Sequence, residues 1–267
     1  MTPLKILQMA TQSATAFKFT LPFAQYLMER GHHVAIACTD AAFPDAPNHL
    51  LEIRRTGVPV HIIPMQRTIA PGHDLLATLR AWRLMCLERF DVVHTHNAKA
   101  GFIGRLAARA ALTPLVLHTN HGLPFFVADR FSWGENYLHL QLERLAARWT
   151  DRFFTVSQAE WRKAITFGVA APSDMVQIGQ GIDLTLFDPQ CVSVDTRRQL
   201  RERWSIPAAA PLLGVVARLE PHKGVERVLH AVAEVQHRHP DLHVLIIGDG
   251  REQASLKQLA HGSRLRV

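Results

Sequence analysis

The chain has 267 residues, which is too long for one ordinary domain. Hydrophobic residues make up 48% of it, enough to bury a sizeable core. Its 15 glycines and 15 prolines are too few for a collagen-like or disordered chain. The formal net charge of +7 is spread along the chain, whereas a nucleic-acid binder concentrates basic residues on one helix or tail. We therefore expect a globular protein that does not bind nucleic acid. A dispersed basic surface suits anionic substrates, an anionic membrane surface, or solvent alone.

The three cysteines, Cys38, Cys86 and Cys191, are odd in number and far apart in the sequence. This pattern predicts buried free thiols in a reducing compartment and argues against a disulfide framework or a zinc site. Residues 1–12 contain too short an apolar stretch for a signal peptide, and no apolar run reaches the length of a membrane span. We therefore predict a cytoplasmic protein, with peripheral contact at the inner face of the membrane as a further expectation.

Short apolar runs alternate with longer amphipathic stretches in the first part of the chain. In chain order they predict strand 4–9, helix 17–30, strands 34–38 and 58–63, helix 75–89, strand 91–95, helix 101–111, strand 115–119, helix 137–149, strand 152–156, helix 158–167 and strand 175–178. Alternating strands and helices imply right-handed βαβ units. The strands are continuous apolar runs, which is typical of a parallel sheet buried on both faces. The sequence thus predicts an α/β domain over residues 1–190.

A second α/β pattern follows a charged helix over residues 195–204 and a linker-like stretch. It consists of strand 212–217, helix 225–239, strand 243–247 and helix 251–261, and it breaks off at 264–267, where another strand begins. A sheet of two or three strands is marginal by itself. We therefore expect a second domain over residues 191–267 that is incomplete in this chain.

The segment 214–229, GVVARLEPHKGVERVL, is the strongest candidate for a ligand site. Arg218 ends a predicted strand and Lys223 precedes a helix, and ligands of open α/β sheets bind at the carboxyl ends of the strands. Free N–H groups at the helix N-terminus and two cations would bind a diphosphate there and stabilise it as it departs. Pairing of Arg218 with Glu220 or Glu226 is the structural alternative.

Two other segments each allow two interpretations. Gly248, Asp249 and Gly250 follow a predicted strand, where glycines let the backbone approach a ligand closely or simply form a tight turn. The aromatic stretch 122–133 lies in a long connection, and it either contacts a lipid-linked acceptor or packs in the core. The chain contains no dinucleotide fingerprint after its first strand, no Walker A pattern and no Asp-x-Asp sequence.

Four histidines flank the ends of two predicted strands: His94, His96, His118 and His121. We expect the neighbouring strands to bring them together at the carboxyl edge of the sheet, near Lys99. Such a group forms a catalytic or substrate-binding cluster, a metal site, or a set of hydrogen-bonded loop histidines. The metal is the least favoured of the three, because no Asp or Glu lies close in the sequence to complete a shell.

Four segments in order resemble motifs of the bacterial family-4 glycosyltransferases, the retaining GT-B enzymes that build exopolysaccharide, capsule and lipopolysaccharide. Residues 91–126 resemble V-H-T-H-x-x-K-A-G followed by V-H-T-x-H-G, and residues 177–189 resemble P-N-G-V-D-x-x-x-F. Residues 214–224 resemble G-R-L-x-x-x-K-G, and residues 245–260 resemble V-G-D-G-x-x-x-x-x-L. The resemblance covers nearly the whole chain.

The resemblance implies two Rossmann-like domains of the GT-B type with a cleft between them, and neither a metal nor a cofactor. The first domain would bind the acceptor and the second the nucleotide-sugar donor. Carried over by position, Arg218 and Lys223 would bind the donor diphosphate, and Gly248 would lie near the nucleotide base. His121 would be the catalytic residue, beside the transferred sugar.

The sequence departs from the family at three places. The first loop reads Gln12-Ser13-Ala14-Thr15 where the family often carries paired glycines, and Gln180 stands in place of asparagine. The paired-glutamate motif that holds the donor sugar and ribose would follow Val267, which argues against independent activity of this chain.

We therefore predict a metal-independent, retaining glycosyltransferase that moves a sugar from a nucleotide-sugar donor to a glycan or lipid-linked acceptor in cell-surface polysaccharide synthesis. Two alternatives stay open. One is a nucleotide-sugar epimerase on the same fold, and the other is a truncated, non-catalytic remnant.

Overall fold

A computed structural model describes residues 2–43, 46–122, 132–179 and 181–262. The chain divides into two compact units, Met1–Gln180 and Gly181–Val267. This division falls before residue 190, where the sequence-based boundary was placed. The strand predicted to begin at 264–267, the substitution at Gln180 and most of the aromatic stretch 122–133 lie outside the described residues.

The first unit is built on one parallel sheet. Its seven strands have the order β3-β2-β1-β4-β5-β6-β7, which confirms the expected α/β architecture. Its elements in chain order are β1 (Lys5–Gln12), α1 (Ser13–Thr15), α2 (Leu21–Glu29), β2 (His33–Thr39), α3 (Leu50–Arg55), β3 (Val60–Ile62), α4 (Pro71–Glu88), β4 (Val92–His96), α5 (Ala98–Ala110), β5 (Leu115–Asn120), α6 (Trp133–Ala147), β6 (Arg152–Thr155), α7 (Gln158–Thr166) and β7 (Met175–Gln177).

Separate hydrophobic clusters cover the two faces of this sheet. Leu7 and Met9 of β1 pack in one cluster with side chains of α4 and α5. Ile6 and Ala10 pack in the other with side chains of α2 and α3. Because successive side chains of a strand point to opposite faces, a strand buried on both sides needs a continuous apolar run.

The first connection differs from the prediction. Helical structure begins at Ser13, directly after β1, and passes through a π-helical turn, Ala16–Thr20, before α2. The predicted helix began at residue 17. Helix α3 was not predicted at all, because its six residues are too few for a helical period to stand out in the sequence.

The second unit contains a two-stranded parallel sheet, formed by β8 (Leu212–Val216) and β9 (His243–Ile247). Its helices are α8 (Val194–Arg203), α9 (Val225–Val235) and α10 (Gln253–Gly262). Its small core includes Leu219 and Leu229.

The expectations about cysteines and membranes have different outcomes. Cys38 is buried, and burial raises the pKa of its thiol to about 12. Cys86 and Cys191 are exposed, so the prediction of buried thiols is wrong for both. Cys86 lies on α4 among apolar sequence neighbours, several of which also face solvent. Across the described ranges, we find no helix with both the length and the apolar character needed to cross a bilayer.

Candidate functional site

Three side chains are hydrogen-bonded in series towards the carboxyl edge of the first sheet, and we call them the histidine relay: Gln8 of β1, His96 of β4 and His121 of the turn after β5. Nε2 of His96 lies 2.8 Å from Oε1 of Gln8, and Nδ1 of His96 lies 3.0 Å from Nε2 of His121. The relay crosses adjacent strands because β4 lies between β1 and β5 in the sheet.

Aromatic side chains pack against the relay. Phe19, from the π-helical turn, stacks on His121 with ring centroids 4.4 Å apart, and His96 stacks on His121 at 5.3 Å. His94 lies beside His96, with centroids 4.2 Å apart, and its Nε2 is 2.7 Å from Oγ1 of Thr119. His94, His96 and His121 therefore form one cluster, as the sequence predicted.

His118 does not belong to this cluster. In the β4–β5 register it pairs with Thr95, whose Oγ1 lies 2.8 Å from Nδ1 of His118. Its Nε2 lies 3.0 Å from Oδ1 of Asn120, so both ring nitrogens have structural partners. The prediction that all four histidines meet is therefore wrong for His118. Residues paired in the register of a parallel sheet lie on the same face, and on β4 the side chain of Thr95 points to the face opposite that of His94 and His96. Lys99 also points elsewhere, to Oδ2 of Asp74 at 2.5 Å.

Burial keeps the histidines neutral. It lowers the pKa of His94 to about 3 and that of His121 to about 4, and it is the largest cause of the lowering of the pKa values of His96 and His118 well below 6.5. A neutral imidazole has one N–H donor and one lone pair. Within the described residues no group of three His, Cys, Asp or Glu side chains is arranged to hold a metal ion. The metal-free site stays a prediction.

Buried polar atoms without a partner among the described residues concentrate at this edge. They belong to β1, β4, β5 and β6, or to the turn or helix that directly follows each strand: Gln8 Nε2, His94 Nδ1, Asn97 Oδ1, Asn120 Nδ2, His121 Nδ1, Thr155 Oγ1 and Glu160 Oε2. An unsatisfied buried polar group costs about 1–3 kcal/mol, so such a concentration needs a polar ligand or ordered water. Asn97 has φ 65°, a conformation that non-glycine residues adopt mainly under local constraint.

Glu160 connects α7 to the turn that carries His121. Burial, the largest effect, raises the pKa of its carboxyl group, whereas hydrogen bonding to the backbone of Val156 and Gly122 opposes this rise. Its position places a half-buried carboxyl group next to the residue that follows His121.

In the second unit, the loops after β8 and β9 lie against each other. The N–H of Leu219 donates to the carbonyl of Asp249 at 2.9 Å. A Cβ on Gly248 would lie 1.8 Å from the carbonyl oxygen of Ala217, and a Cβ on Gly250 would lie 2.4 Å from that of Leu219. Neighbouring backbone therefore requires both glycines, which supports the tight-turn interpretation and leaves nucleotide contact by Gly248 as a proposal.

Arg218 and Lys223 are both exposed and precede α9. Gly224 stands between Lys223 and the helix with φ 67° and ψ 27°, a left-handed conformation that favours glycine. Glu220 lies 2.9 Å from Nε of Arg251, and Glu226 lies 3.5 Å from Nε2 of His230.

Three residues of the first site were missed by sequence reasoning: Gln8, Phe19 and Glu160. Gln8 is a polar residue inside an apolar strand, KILQMATQ, and that interruption was a usable signal. Phe19 lies in the π-helical turn and Glu160 in α7, and the spacing of neither residue in the sequence connects it with His121.

A parallel α/β sheet with polar side chains at its carboxyl edge is the general architecture of nucleotide- and sugar-binding α/β proteins. Residues 18–186 match the sequence model of Glycosyltransferase Family 4, and residues 196–266 match that of Glycosyl transferases group 1. The first match alone spans more than half of the chain, so the protein belongs to glycosyltransferase family 4.

Curated relatives include bacterial glycosyltransferases. The chain is 29% identical over 193 residues to the UDP-Gal:alpha-D-GlcNAc-diphosphoundecaprenol alpha-1,3-galactosyltransferase of Escherichia coli, covering 72% of this chain and 49% of that protein. It is 24% identical over 202 residues to a capsular polysaccharide biosynthesis glycosyltransferase of Staphylococcus aureus, and the match covers 74% of this chain and 51% of that protein. The chain thus spans about half the length of these two relatives.

Solved structures share the fold. A glycosyltransferase from Rickettsia africae has a TM-score of 0.75 at 19% identity, covering 99% of this chain and 66% of that one. An Anabaena protein in complex with UDP and glucose has a TM-score of 0.70 at 19% identity, covering 97% and 65%. A UDP-GlcNAc 2-epimerase from Neisseria meningitidis reaches 0.62 at 13% identity, covering 97% and 68%. The expected GT-B fold class is confirmed.

Proposed function

We propose that the protein transfers a sugar from a nucleotide-sugar donor to a glycan or lipid-linked acceptor in cell-surface polysaccharide synthesis. The observation that carries this proposal is the concentration of unpartnered buried polar atoms around His121 in a family-4 glycosyltransferase. A sugar offers many hydroxyl groups, each of which donates and accepts hydrogen bonds, and it suits such a surface. The relatives named for a lipid diphosphate acceptor and for capsule synthesis support the same substrate class.

In this proposal His121 contacts the transferred sugar. Its ring is held by His96 and Phe19, and its Nδ1 is a buried atom with no partner in the described part of the chain. A hydrogen bond that a sugar hydroxyl donates to this nitrogen strengthens as the sugar becomes oxocarbenium-like, which selectively stabilises the transition state. Its burial-lowered pKa keeps the ring neutral at pH 7.

The second unit binds the donor in this proposal. Arg218 and Lys223 neutralise the diphosphate, together with the N-terminus of α9, and Gly248 lies near the base. Two fixed cations and a helix N-terminus supply the positive charge that a metal would otherwise provide, so we propose a metal-independent reaction. We further propose retention of the anomeric configuration and a cytoplasmic enzyme that touches the anionic inner face of the membrane through its basic surface.

The test is a transfer assay with the full-length protein and a panel of UDP- and GDP-sugars, with and without a sugar-diphosphate-polyprenol acceptor. Mass spectrometry detects the extended acceptor, and NMR reports the anomeric configuration of the new linkage. An epimerised nucleotide sugar formed without acceptor would instead identify an epimerase. Activity should survive a chelator, and a loss that zinc restores would revive the metal interpretation of the histidines. Co-sedimentation with anionic and neutral vesicles tests the membrane contact.

A further inference from the structure

The histidine relay defines which nitrogen of His121 carries the proton. The amide oxygen of Gln8 faces Nε2 of His96 at 2.8 Å, and an amide oxygen only accepts, so this nitrogen of His96 donates. Because the ring of His96 is neutral, its Nδ1 then carries a lone pair. Nε2 of His121, 3.0 Å away, must therefore donate to it. The remaining nitrogen of His121, Nδ1, is left as a hydrogen-bond acceptor.

We propose that Gln8 and His96 are positioning residues that hold His121 in the tautomer protonated on Nε2, so that its Nδ1 accepts a hydrogen bond from a sugar hydroxyl. The involvement of a sugar rests on the function proposed above, whereas the tautomer depends only on this chain.

Burial makes the assignment strict. Gln8 is 0% exposed and His96 is 4% exposed, so water has little access to replace either side chain as a hydrogen-bond partner. In the opposite tautomer of His121, two lone pairs would face each other across the contact with His96. That arrangement costs a hydrogen bond in a region of low dielectric constant, where an unpaired group is expensive. The stacked Phe19 ring also keeps the imidazole in the plane that this contact needs.

The tautomer of His121 restricts which substrate groups can bind to its Nδ1. An acceptor nitrogen requires a group that donates, so the hydroxyl at this position should not be replaceable by fluorine, which accepts weakly and cannot donate. Fluorine also slows transfer through its inductive effect on an oxocarbenium-like sugar, so the informative quantity is the difference between two proteins. For one deoxyfluoro analogue of the active donor sugar, the loss of kcat/KM relative to the parent donor should be about tenfold larger in the wild type than in His121→Ala, the difference expected for one net hydrogen bond. An equal loss in both proteins at every position overturns the proposal.

Nitrogen-15 NMR of histidine-labelled protein tests the tautomer without any substrate. The His121 signals are assigned by their loss in His121→Ala. In the wild type, we expect Nδ1 in the unprotonated region of the spectrum and Nε2 in the protonated region. The reverse pattern, or rapid exchange between the two, overturns the proposal whether or not a variant of Gln8 or His96 folds.

Two substitutions then test the positioning role. Gln8→Met and His96→Phe preserve side-chain size and remove the relay, and the His121 signals should shift towards a mixture of tautomers. Gln177→Met, on the exposed surface of β7, is the matched control and should change nothing. Unchanged His121 signals in both relay variants would overturn the proposal. Failure of the proposed function is visible separately, as absence of sugar transfer by a wild-type protein that shows the expected tautomer.

Discussion

At the scale of single residues, the chemistry depends on partners that are distant in the sequence. Gln8 and His96 are 88 positions apart, and His96 and His121 are 25 apart, yet they are hydrogen-bonded in one relay. Burial then decides protonation, since it lowers the pKa values of the buried histidines and keeps them neutral.

Removing either proposed diphosphate ligand should slow transfer strongly. Arg218→Ala or Lys223→Ala should reduce kcat/KM by an amount equivalent to about 2–4 kcal/mol of transition-state stabilisation, as found for single charge-stabilising donors. Arg218→Lys should recover only part of this loss, because an ammonium cannot reproduce a bidentate guanidinium contact. Lys257→Ala removes one exposed charge from α10 and serves as the control. Near-normal kcat/KM in both alanine variants would refute the assignment.

Loss of the His121 ring should affect turnover more than stability. His121→Ala should lower kcat more than it weakens donor binding and should leave Tm close to that of the wild type, because the ring is stacked at the edge of the fold and is partly exposed. His33→Ala, at an exposed position, is the control. A variant that is destabilised but fully active per molecule would show that His121 is only a loop residue.

Acid should destabilise the first unit through its buried histidines. The pKa of His94 falls from 6.5 to about 3 and that of His121 from 6.5 to about 4, so the unfolded chain binds more protons below pH 6.5. Stability should therefore fall as the pH drops from 6.5 towards 4, by about 1.4 kcal/mol per pH unit for each such histidine. Urea unfolding between pH 7.5 and 5 measures this slope. His94→Gln should reduce this slope by the share of one histidine, and His33→Gln should leave it unchanged. Equal slopes in the wild type and His94→Gln would contradict the prediction.

At the scale of elements, the loops that follow the strands determine which side chains and backbone atoms lie at the carboxyl edge of each sheet. The turn from β1 into α1 has no glycine loop, and the following π-helical turn, Ala16–Thr20, carries Phe19 onto His121. Single π-helical turns are frequent at functional sites. In the second unit, the loops after β8 and β9 hold each other through backbone contacts at Gly248 and Gly250.

Adding a methyl group to one of these glycines should disrupt the loop pair. A Cβ on Gly250 would approach Leu219 backbone atoms at 2.4–2.9 Å, so Gly250→Ala should destabilise the second unit by at least about 2 kcal/mol. Gly214, inside β8, has no atom within 4 Å of its Cβ position, and Gly214→Ala should be neutral or slightly stabilising. Chemical denaturation of both variants tests this, and equal stability would contradict the close approach.

At the scale of the whole molecule, the two compact units should differ in stability. The first contains a seven-stranded sheet with hydrophobic clusters on both faces, whereas the second contains a two-stranded sheet with one small cluster in its described part. Val216 of β8 is 80% exposed. Two-stranded sheets bury too little surface to be stable independently.

Hydrogen exchange should therefore be faster in the second unit. Backbone amides of Leu212–Val216 and His243–Ile247 should exchange before those of Val92–His96 and Leu115–Asn120, because local opening costs less where few apolar contacts are lost. Mass spectrometry of peptides from the intact protein measures both regions in one experiment. Equal protection of the two sheets would show that the second unit is stabilised as strongly as the first.

Much of the fold was predictable because its signals are local. Continuous apolar runs identified the strands of the first sheet to within a few residues, and β9 was predicted at the residues where it occurs, 243–247. The short helix α3 was missed, since it does not differ from a loop in hydrophobic period, and residues 17–20 of the π-helical turn were predicted as part of a regular helix. The histidines at the ends of β4 and β5 were predicted as a site, and three of the four do lie together.

The sequence by itself determined the α/β class, the family and the candidate residues, because periodicity and motif spacing are properties of neighbouring positions. Only the tertiary structure decided that His118 faces away from His94 and His96, that Lys99 pairs with Asp74, and that Gln8 completes the relay. These facts depend on strand order and register. A register places each side chain on one face of the sheet, and no local pattern in the chain records which residue of another strand will lie beside it.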